Sequence, residues 1–294
     1  MQTSKLKYWI LAARPKTLSA SLMPVAVGCT LSYFYESFKL IPAIICLAFA
    51  LLAQIISNWL NDYFDFKKGA DRADRLGPGR AVANGWIRPE EMLRMAVGFG
   101  VLAFIIGLAL MYYAGWKLIF TGLAVGLGAY AYSSGPYPLA YHGLGDICVV
   151  VFYGVIPVGF TCYVQILDWN TAVTVSGLAL GLVSTNILVA NNYRDREQDK
   201  ISDKNTSVVI FGEAFGRWFY LCNGFAAIAL CIIFIYLGMI WAAVLPCLYL
   251  IPHVAAWREM CRIRQGKELN RILAMSARNT VIFGLLLSAG ILLS

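Results

Sequence analysis

The sequence predicts an all-α polytopic membrane protein with nine transmembrane helices. Hydrophobic residues make up 60% of its 294 residues and charged residues only 14%, whereas soluble domains carry roughly 25% charged residues. The apolar residues form long blocks separated by short polar loops, which excludes an ordinary soluble enzyme and a disordered chain. The net charge of +8 arises in those loops, a distribution that argues against a nucleic-acid-binding protein.

Each predicted span is an apolar run close to the ~20 residues that a helix needs to cross the hydrocarbon core. The runs are too long for barrel strands and most lack strict alternation, so helices are the structures that satisfy the backbone in lipid. In chain order the nine runs cover about residues 18–35, 41–60, 92–113, 117–133, 147–165, 171–190, 218–236, 239–256 and 279–294. We therefore expect a single transmembrane domain over residues 1–294.

The charges in the loops predict the orientation of the chain. Of the 24 Lys and Arg residues, 22 fall on one predicted side, and only Lys39 and Lys117 fall on the other. Short loops rich in Lys and Arg stay in the cytoplasm. We therefore predict a multi-pass protein of the bacterial cytoplasmic (inner) membrane, with its N-terminus inside and, after nine spans, its C-terminus outside.

Two loops on the predicted cytoplasmic side hold eleven of the sixteen acidic residues. The acids begin where an apolar run ends, in Asn-Asp-Tyr-Phe-Asp at residues 61–65 and Asn-Asn-Tyr-Arg-Asp at residues 191–195. Ionisable groups at the ends of spans usually face the bundle interior or a water-filled cavity. The similarity of the two segments suggests an internal duplication, about 1–130 and 131–294, that brings two acidic clusters to one cavity.

The spacing of these polar residues predicts a metal site. Asn61 and Asp65 lie four residues apart, as do Asn191, Asp195 and Asp199, and residues at this spacing share one face of a helix. Carboxylate and amide oxygens suit Mg²⁺, with Mn²⁺ as an alternative, and are poor ligands for zinc. Because Mg²⁺ often completes its shell with substrate phosphates, we expect a phosphate or diphosphate at the cytoplasmic mouth of an apolar cavity.

A polyprenyl diphosphate is a substrate that matches both the membrane and the metal site. Its hydrocarbon tail can lie among the spans in the lipid bilayer while its head group meets the metal. The cations Arg72, Arg80 and Lys204 are candidates to bind the diphosphate directly. Loss of diphosphate leaves an allylic cation, which aromatic faces stabilise, and the chain contains 14% aromatic residues.

The two acidic segments resemble the paired motifs of the UbiA superfamily of intramembrane prenyltransferases, N-D-x-x-D-x-x-x-D and D-x-x-x-D. Here the motifs read N-D-Y-F-D from residue 61 and D-R-E-Q-D from residue 195, with Gly69 in place of the last acid of the first motif and Asp71 two residues later. These forms are similar to the branch that prenylates 1,4-dihydroxy-2-naphthoate. The resemblance extends over nearly the whole chain.

The resemblance implies a UbiA-like bundle around a central cavity that binds two Mg²⁺ ions. It assigns catalysis to Asp65, Asp195 and Asp199. Its implied metal ligands are Asn61, Asp62, Asp65, Asn191, Asp195 and Asp199, with direct ligation by Asp62 left open. It implies that Arg80 and Lys204 contact the diphosphate. Arg72 is a third candidate because its positive charge lies in the same loop as Arg80.

The acceptor side of the site is assigned to Asn58, Tyr132 and His142. Tyr132 begins a segment similar to the Y-S-x-x-P segment that borders the aromatic acceptor in the family. His142 stands where the family often has Lys or Arg. Its expected role is therefore either binding the acceptor carboxylate or moving a proton, and a surface-loop histidine remains the alternative.

The resulting hypothesis is Mg²⁺-dependent transfer of a polyprenyl group to 1,4-dihydroxy-2-naphthoate, an aromatic acid, with loss of diphosphate and CO₂ to give demethylmenaquinone. The same chemistry on 4-hydroxybenzoate, homogentisate, haem or a glycerol phosphate lipid is one alternative. A secondary transporter with an internal repeat is another, as is a lipid-phosphate phosphatase or other diphosphate-cleaving enzyme. The sequence implies no nucleic-acid partner and no protein partner.

Overall fold

The computed structural model describes residues 5–69 and 76–294, and within these ranges it contains helices and no extended β-strand. The predicted all-α fold class is confirmed. In chain order the helices are α1 (Lys5–Ala12), α2 (Ser19–Phe34), α3 (Leu40–Lys67), α4 (Pro89–Ala114), α5 (Leu118–Ser133), α6 (Gly145–Ile166), α7 (Thr171–Ile201), α8 (Ser207–Tyr236), α9 (Ile240–Ile263) and α10 (Lys267–Leu292).

Seven of these helices are long and apolar enough to cross a membrane, which makes the chain a multi-pass membrane protein. They are α3, α4, α6, α7, α8, α9 and α10. The apolar helices α2 and α5 contain 16 residues each. Every one of the nine predicted apolar runs therefore coincides with a helix, while the crossing of all nine stays a prediction.

Helices α3 and α7 continue well beyond the apolar runs that predict them. The runs end near residues 60 and 190, whereas the helices end at Lys67 and Ile201. At 1.5 Å per residue the 28 residues of α3 extend about 42 Å, which exceeds the ~30 Å hydrocarbon core. Both acidic segments consequently lie on the last turns of long helices, and their four-residue spacing places their side chains on one face, as expected.

Helix α7 is the centre of the bundle. It packs against α6, α8 and α10, and 78% of its most apolar window is buried inside the protein. Glycines allow the closest of these approaches, because a Cβ at Gly154 on α6 would lie 2.5 Å from the Cα of Gly181 on α7. Small residues permit such close backbone packing between membrane helices.

Helix α1 packs beside the end of α3 that carries the first acidic segment. The Trp9 ring meets the Trp59 ring edge-on, with centroids 4.9 Å apart, and Tyr8 stacks on Trp86 at the same separation. These rings belong to an apolar cluster that also contains Ala81 and Val82. The cluster fixes the segment after α1 and the loop before α4 against α3, so that Arg14 and Arg80 reach the acidic residues.

Candidate active site

A cavity of about 1040 Å³ lies between α2, α3, α4, α5 and α6 and continues to the ends of α3 and α7. Most of its wall is apolar, including the rings of Phe49, Phe104, Phe152 and Phe160. Its polar lining residues include Asn58, Asn61, Asp62, Arg80, Asn191 and Lys204. The cavity thus joins an apolar chamber to a region of amide, carboxylate and cationic groups.

The first acidic segment is held by side chains from three other parts of the chain. The Asn61 amide oxygen accepts hydrogen bonds from Arg14 at 2.9 Å and Arg80 at 3.0 Å. The Asp65 carboxylate accepts a hydrogen bond from the Tyr141 hydroxyl at 2.8 Å and lies 3.6 Å from the Arg80 guanidinium. Asp62 accepts a hydrogen bond from the backbone N–H of Ala81 at 3.0 Å. Asp62 thereby anchors the loop that carries Arg80.

The second acidic segment is organised around the buried guanidinium of Arg194. It donates to both oxygens of Asp195, at 2.7 and 2.5 Å, and to Asn191 at 2.8 Å. Its remaining nitrogen donates to Asn270 on α10 at 2.9 Å. Asp199 lies one turn further along α7, with its carboxylate 3.8 Å from the Lys204 ammonium. Arg194 therefore fixes Asn191 and Asp195 in one orientation.

Tyr141 links the two acidic segments, although sequence reasoning did not identify it. While its hydroxyl bonds to Asp65, its ring lies 4.2 Å from the Lys68 ammonium and 5.5 Å from that of Lys204. Burial lowers the pKa of Lys68, Asp65 opposes this shift, and the nearby charge of Lys204 adds to it. Two cations held close together form a region that attracts an anion.

Lys68 is a second functional candidate that sequence reasoning missed. Its position directly after α3, three residues beyond Asp65, is the one signal that the sequence offers. That signal does not single out Lys68, because the same loop contains other Lys and Arg residues. The structure distinguishes Lys68 by its contacts, since its ammonium donates to the Ser133 carbonyl at 2.9 Å. Ser133 ends α5 and its hydroxyl also meets the Asn61 amide.

The residues assigned to the acceptor take different positions. Asn58 and Tyr132 line the cavity, and the Asn58 amide donates to the Ala13 carbonyl at 3.0 Å. His142 is exposed, with its ring stacked 3.7 Å from that of Tyr137 and its Nδ1 atom 2.8 Å from the Pro138 carbonyl oxygen. The structure brings Asn58 and Tyr132 to the cavity wall and leaves His142 on the rim. Arg72 lies outside the described residues.

The donor set fits a cation that takes few protein carboxylates. Among residues 5–69 and 76–294, no group of three or more His, Cys, Asp or Glu side chains is arranged to hold a metal ion. The two segments instead bring the amides of Asn61 and Asn191 and the carboxylate of Asp62 to the wall of a cavity large enough for a substrate. The buried carboxylates of Asp65, Asp195 and Asp199 follow on the same helices and do not themselves line it. Mg²⁺ is commonly bound by one or two carboxylates together with substrate phosphates and water.

Comparison with known proteins identifies relatives over the full length of the chain. Residues 21–281 match the model of the UbiA prenyltransferase family. A 1,4-dihydroxy-2-naphthoate octaprenyltransferase from Haemophilus influenzae is 34% identical over all of this chain and 98% of its own. One from Escherichia coli is 37% identical over 75% of this chain and 74% of its own.

The fold also has a counterpart among solved structures. A UbiA homologue from Archaeoglobus fulgidus bound to GPP and Mg²⁺ aligns with a TM-score of 0.63 at 16% identity. The alignment covers 96% of this chain and 99% of the homologue. At this identity the similarity establishes the shared helical bundle.

Proposed function

Because the chain belongs to the UbiA prenyltransferase family, we propose that it transfers a polyprenyl group from polyprenyl diphosphate to 1,4-dihydroxy-2-naphthoate. Diphosphate and CO₂ leave, and the immediate product is the prenylated naphthoquinol, the reduced form of demethylmenaquinone. The observation that carries this proposal is the meeting of two acidic segments and several cations at the polar end of an apolar cavity. The activity named for the two bacterial relatives supports the choice of acceptor.

The cavity suits a substrate with a hydrocarbon tail and an anionic head. The phenylalanine rings of its wall provide a dry environment for the prenyl chain, and they exclude the water that would capture an allylic cation. Arg80 and Lys204 line the polar end, and Lys68 lies beside Lys204. These cations would bind the diphosphate and stabilise the charge that develops as it leaves.

The bond changes of the proposed reaction balance without a further reactant. The bond between the allylic carbon and the diphosphate oxygen breaks, and its electron pair leaves with the diphosphate. The electron-rich ring of the acceptor attacks the allylic carbon through the ring carbon that bears the carboxylate. Loss of CO₂ then restores the aromatic ring. Asn58 and Tyr132 border the space in which the acceptor would lie, and His142 would act from the rim.

Magnesium is the divalent ion that the donor set fits, and Asn61, Asp65, Asn191, Asp195 and Asp199 are the residues that would hold it. When bound, it supplies positive charge that stabilises the departing diphosphate. We propose that the site binds two such ions and that Mn²⁺ can replace Mg²⁺. The Asp62 oxygen that accepts from Ala81 has a positioning role, so we assign ligation to Asp65 in preference to Asp62.

We place the active site at the cytoplasmic face of a bacterial inner membrane, with the N-terminus on the same side. The polar end of the cavity lies beside the loops that carry most Lys and Arg residues, and such loops stay in the cytoplasm. The proposed reaction requires a lipid bilayer, the prenyl donor and the aromatic acid. It requires no protein partner.

A product assay on the purified protein in detergent tests the proposed function. The reaction contains Mg²⁺, a prenyl diphosphate, and equal amounts of 1,4-dihydroxy-2-naphthoate and 4-hydroxybenzoate, and mass spectrometry identifies the adduct. We expect a prenylated naphthoquinol that has lost CO₂. Its formation should stop when EDTA chelates the Mg²⁺ and should resume when Mg²⁺ is restored. A prenylated hydroxybenzoate would overturn the acceptor, and free prenol as the sole product would favour a diphosphate-cleaving enzyme.

A further inference from the structure

Asp146 is a buried acid in the cavity wall that belongs to neither acidic segment. It lies in the first turn of α6 and is 7% exposed. One of its carboxylate oxygens, Oδ2, accepts a hydrogen bond from the Ser207 hydroxyl at 2.5 Å. The other oxygen, Oδ1, is buried and has no hydrogen-bond partner within the described part of the chain. A buried carboxylate oxygen normally receives a donor, so this atom requires an explanation.

The surroundings of Asp146 place it between the acceptor side and the diphosphate side of the cavity. A Cβ on the preceding Gly145 would lie 3.7 Å from the Tyr132 hydroxyl. Ser207 begins α8, and Lys204, Thr206 and Ser207 line the same cavity. The loop before α6 is joined to this segment, because the Asn205 N–H donates to the Tyr141 carbonyl at 3.1 Å. Asp146 therefore sits where the reacting ends of the two substrates would meet.

Of the two substrates, the acceptor is the one that can supply the missing donor. A prenyl chain has no hydrogen-bond donor, and an anionic diphosphate repels a carboxylate. A hydroxylated aromatic ring carries O–H donors, and a hydroxyl donating to a charged acceptor forms a comparatively strong hydrogen bond. Such a bond also increases electron density on the hydroxyl oxygen and hence on the ring that attacks the allylic carbon.

We propose that Oδ1 of Asp146 accepts a hydrogen bond from a ring hydroxyl of the aromatic acceptor, and that Asp146 orients and activates the acceptor. This inference rests on the proposed function. The Asp146–Ser207 bond also joins the starts of α6 and α8, but that structural task uses only Oδ2. An Asp146→Asn variant retains a carbonyl oxygen for Ser207 while removing the charge from the acceptor side, which separates the two roles.

Steady-state kinetics of four proteins tests the proposal. They are the wild type, Asp146→Asn, Ser207→Ala and Asp168→Asn, the last being the same change at an exposed residue just beyond the opposite end of α6. We expect Asp146→Asn to lower kcat/KM for the acceptor by about tenfold to a hundredfold, as for a lost hydrogen bond to a charged group. The KM for prenyl diphosphate should stay within about twofold. Ser207→Ala should have a smaller effect on the acceptor, and Asp168→Asn none.

Acceptor analogues identify the contact more directly. The two monomethyl ethers of 1,4-dihydroxy-2-naphthoate each remove one hydroxyl donor. One ether should be a poor acceptor for the wild type, and Asp146→Asn should reduce its kcat/KM little further, because enzyme and substrate have then lost the same bond.

Four outcomes would contradict the proposal. Equal losses for the diol and for both ethers would show that Asp146 acts without touching a hydroxyl. Matching losses in Asp146→Asn and Ser207→Ala, with matching falls in melting temperature, would leave only the structural role. A wild type that prenylates neither naphthoate nor its ethers would overturn the proposed function and this inference together, whereas an active wild type with an unaffected Asp146→Asn would overturn this inference alone.

Discussion

Arg194 shows how one buried side chain determines the geometry of the second acidic segment. Arg194 is 1% exposed, and its guanidinium binds Asp195, Asn191 and Asn270 at once. Asn270 in turn donates to the Leu76 carbonyl at 3.0 Å, so the segment on α7 is connected to α10 and to the loop before α4. A substitution at Asp195 consequently affects both the chemistry of the site and its stability.

We predict that Asp195→Asn and Asp195→Ala lose activity to the same extent but differ in the free energy of unfolding. Both remove the carboxylate assigned to the metal and should lower turnover at least a hundredfold. Both also remove the charge that pairs with the buried Arg194 guanidinium, and breaking such a pair costs about 3–5 kcal/mol. The amide oxygen of Asn still accepts a hydrogen bond from Arg194, whereas Ala accepts none, so Asp195→Ala should be the less stable variant. Prenyl-transfer assays and thermal unfolding in detergent measure the two effects.

Glu197→Gln is the matched control for these variants, because the Glu197 side chain is 72% exposed and lies on the same turn of α7. It should keep nearly normal turnover and melting temperature. Full activity in Asp195→Asn would contradict the metal assignment. Equal melting temperatures for the Asn and Ala variants would contradict the structural role of the Arg194 pair.

Tyr141 gives a second prediction at this scale. Tyr141→Phe removes the hydroxyl that donates to Asp65 and keeps the ring beside Lys68 and Lys204, so kcat/KM for prenyl diphosphate should fall about tenfold. Tyr141→Leu also removes the cation–π contacts and should lower it further. Tyr137→Phe, at an exposed ring, is the control. Equal kinetics for Tyr141→Phe and the wild type would remove Tyr141 from the site.

Sequence reasoning identified the candidate site residues that follow a local spacing and missed those that long-range contacts bring to them. The i, i+4 pattern placed Asn61 with Asp65 because both lie on one helix. Tyr141 reaches Asp65 across 76 positions of the chain, and no local pattern specifies such a contact. Asp146 escaped notice because a single acid directly before an apolar run gives no motif.

At the scale of helices, glycines allow α6 and α7 to pack with their backbones in close contact. Gly154 on α6 faces Gly177 and Gly181 on α7, and a Cβ at Gly177 would lie 2.9 Å from the Cα of Val155. The atoms in the way belong to the backbone, so they cannot move aside as a flexible side chain would. The position of the acidic end of α7 depends on this contact.

We predict that Gly154→Ala lowers the free energy of unfolding by about 1–3 kcal/mol, the usual cost of overpacking a dense core. The added methyl group would meet the Gly177 carbonyl oxygen and the Gly181 Cα. Gly98→Ala is the control, because a Cβ there has no neighbour within 4 Å. Thermal unfolding in detergent should show a large fall for the first variant and little change for the second. Equal melting temperatures would contradict the close packing of α6 and α7.

Hydropathy predicted which segments are helical and underestimated where the helices end. The apolar runs stop near residues 60 and 190 because polar residues follow, yet α3 and α7 continue through them to Lys67 and Ile201. The buried carboxylates of Asp62 and Asp65 have partners in two loops, and that of Asp195 has Arg194 on the same helix. Hydropathy alone cannot report such partners. Helix α8 likewise begins at Ser207, ahead of the run predicted from residue 218, although its backbone is non-helical at Gly212, where φ is 89°.

At the scale of the whole molecule, the short helices α2 and α5 decide whether all nine helices cross the membrane. Sixteen residues extend about 24 Å, less than the ~30 Å hydrocarbon core. Nine of the sixteen residues of α2 are buried, and it packs against α6 and α10, so protein surrounds much of it. Helix α5 exposes Phe120, Leu123 and Leu127, and a bilayer adapts to a short helix by thinning.

The topology predicted from Lys and Arg follows only if both short helices cross. With the N-terminus inside, crossing by α2 places Ser37 outside, and crossing by α3 and α4 places Trp116 outside as well. The Gln265 loop between α9 and α10 then lies in the cytoplasm. The internal duplication also stays a prediction, supported by the similar placement of acidic segments at the ends of α3 and α7.

Single introduced cysteines, in a background in which the eight native cysteines are replaced, test this topology in intact cells. A membrane-impermeant maleimide should label Ser37→Cys and Trp116→Cys and should label Gln265→Cys only after lysis. The physical reason is that 22 of the 24 Lys and Arg residues resist translocation from the side that holds Gln265. Protection of Ser37→Cys before lysis would show that α2 does not cross. Protection of Trp116→Cys with labelling of Ser37→Cys would instead contradict the outward position of the loop between α4 and α5.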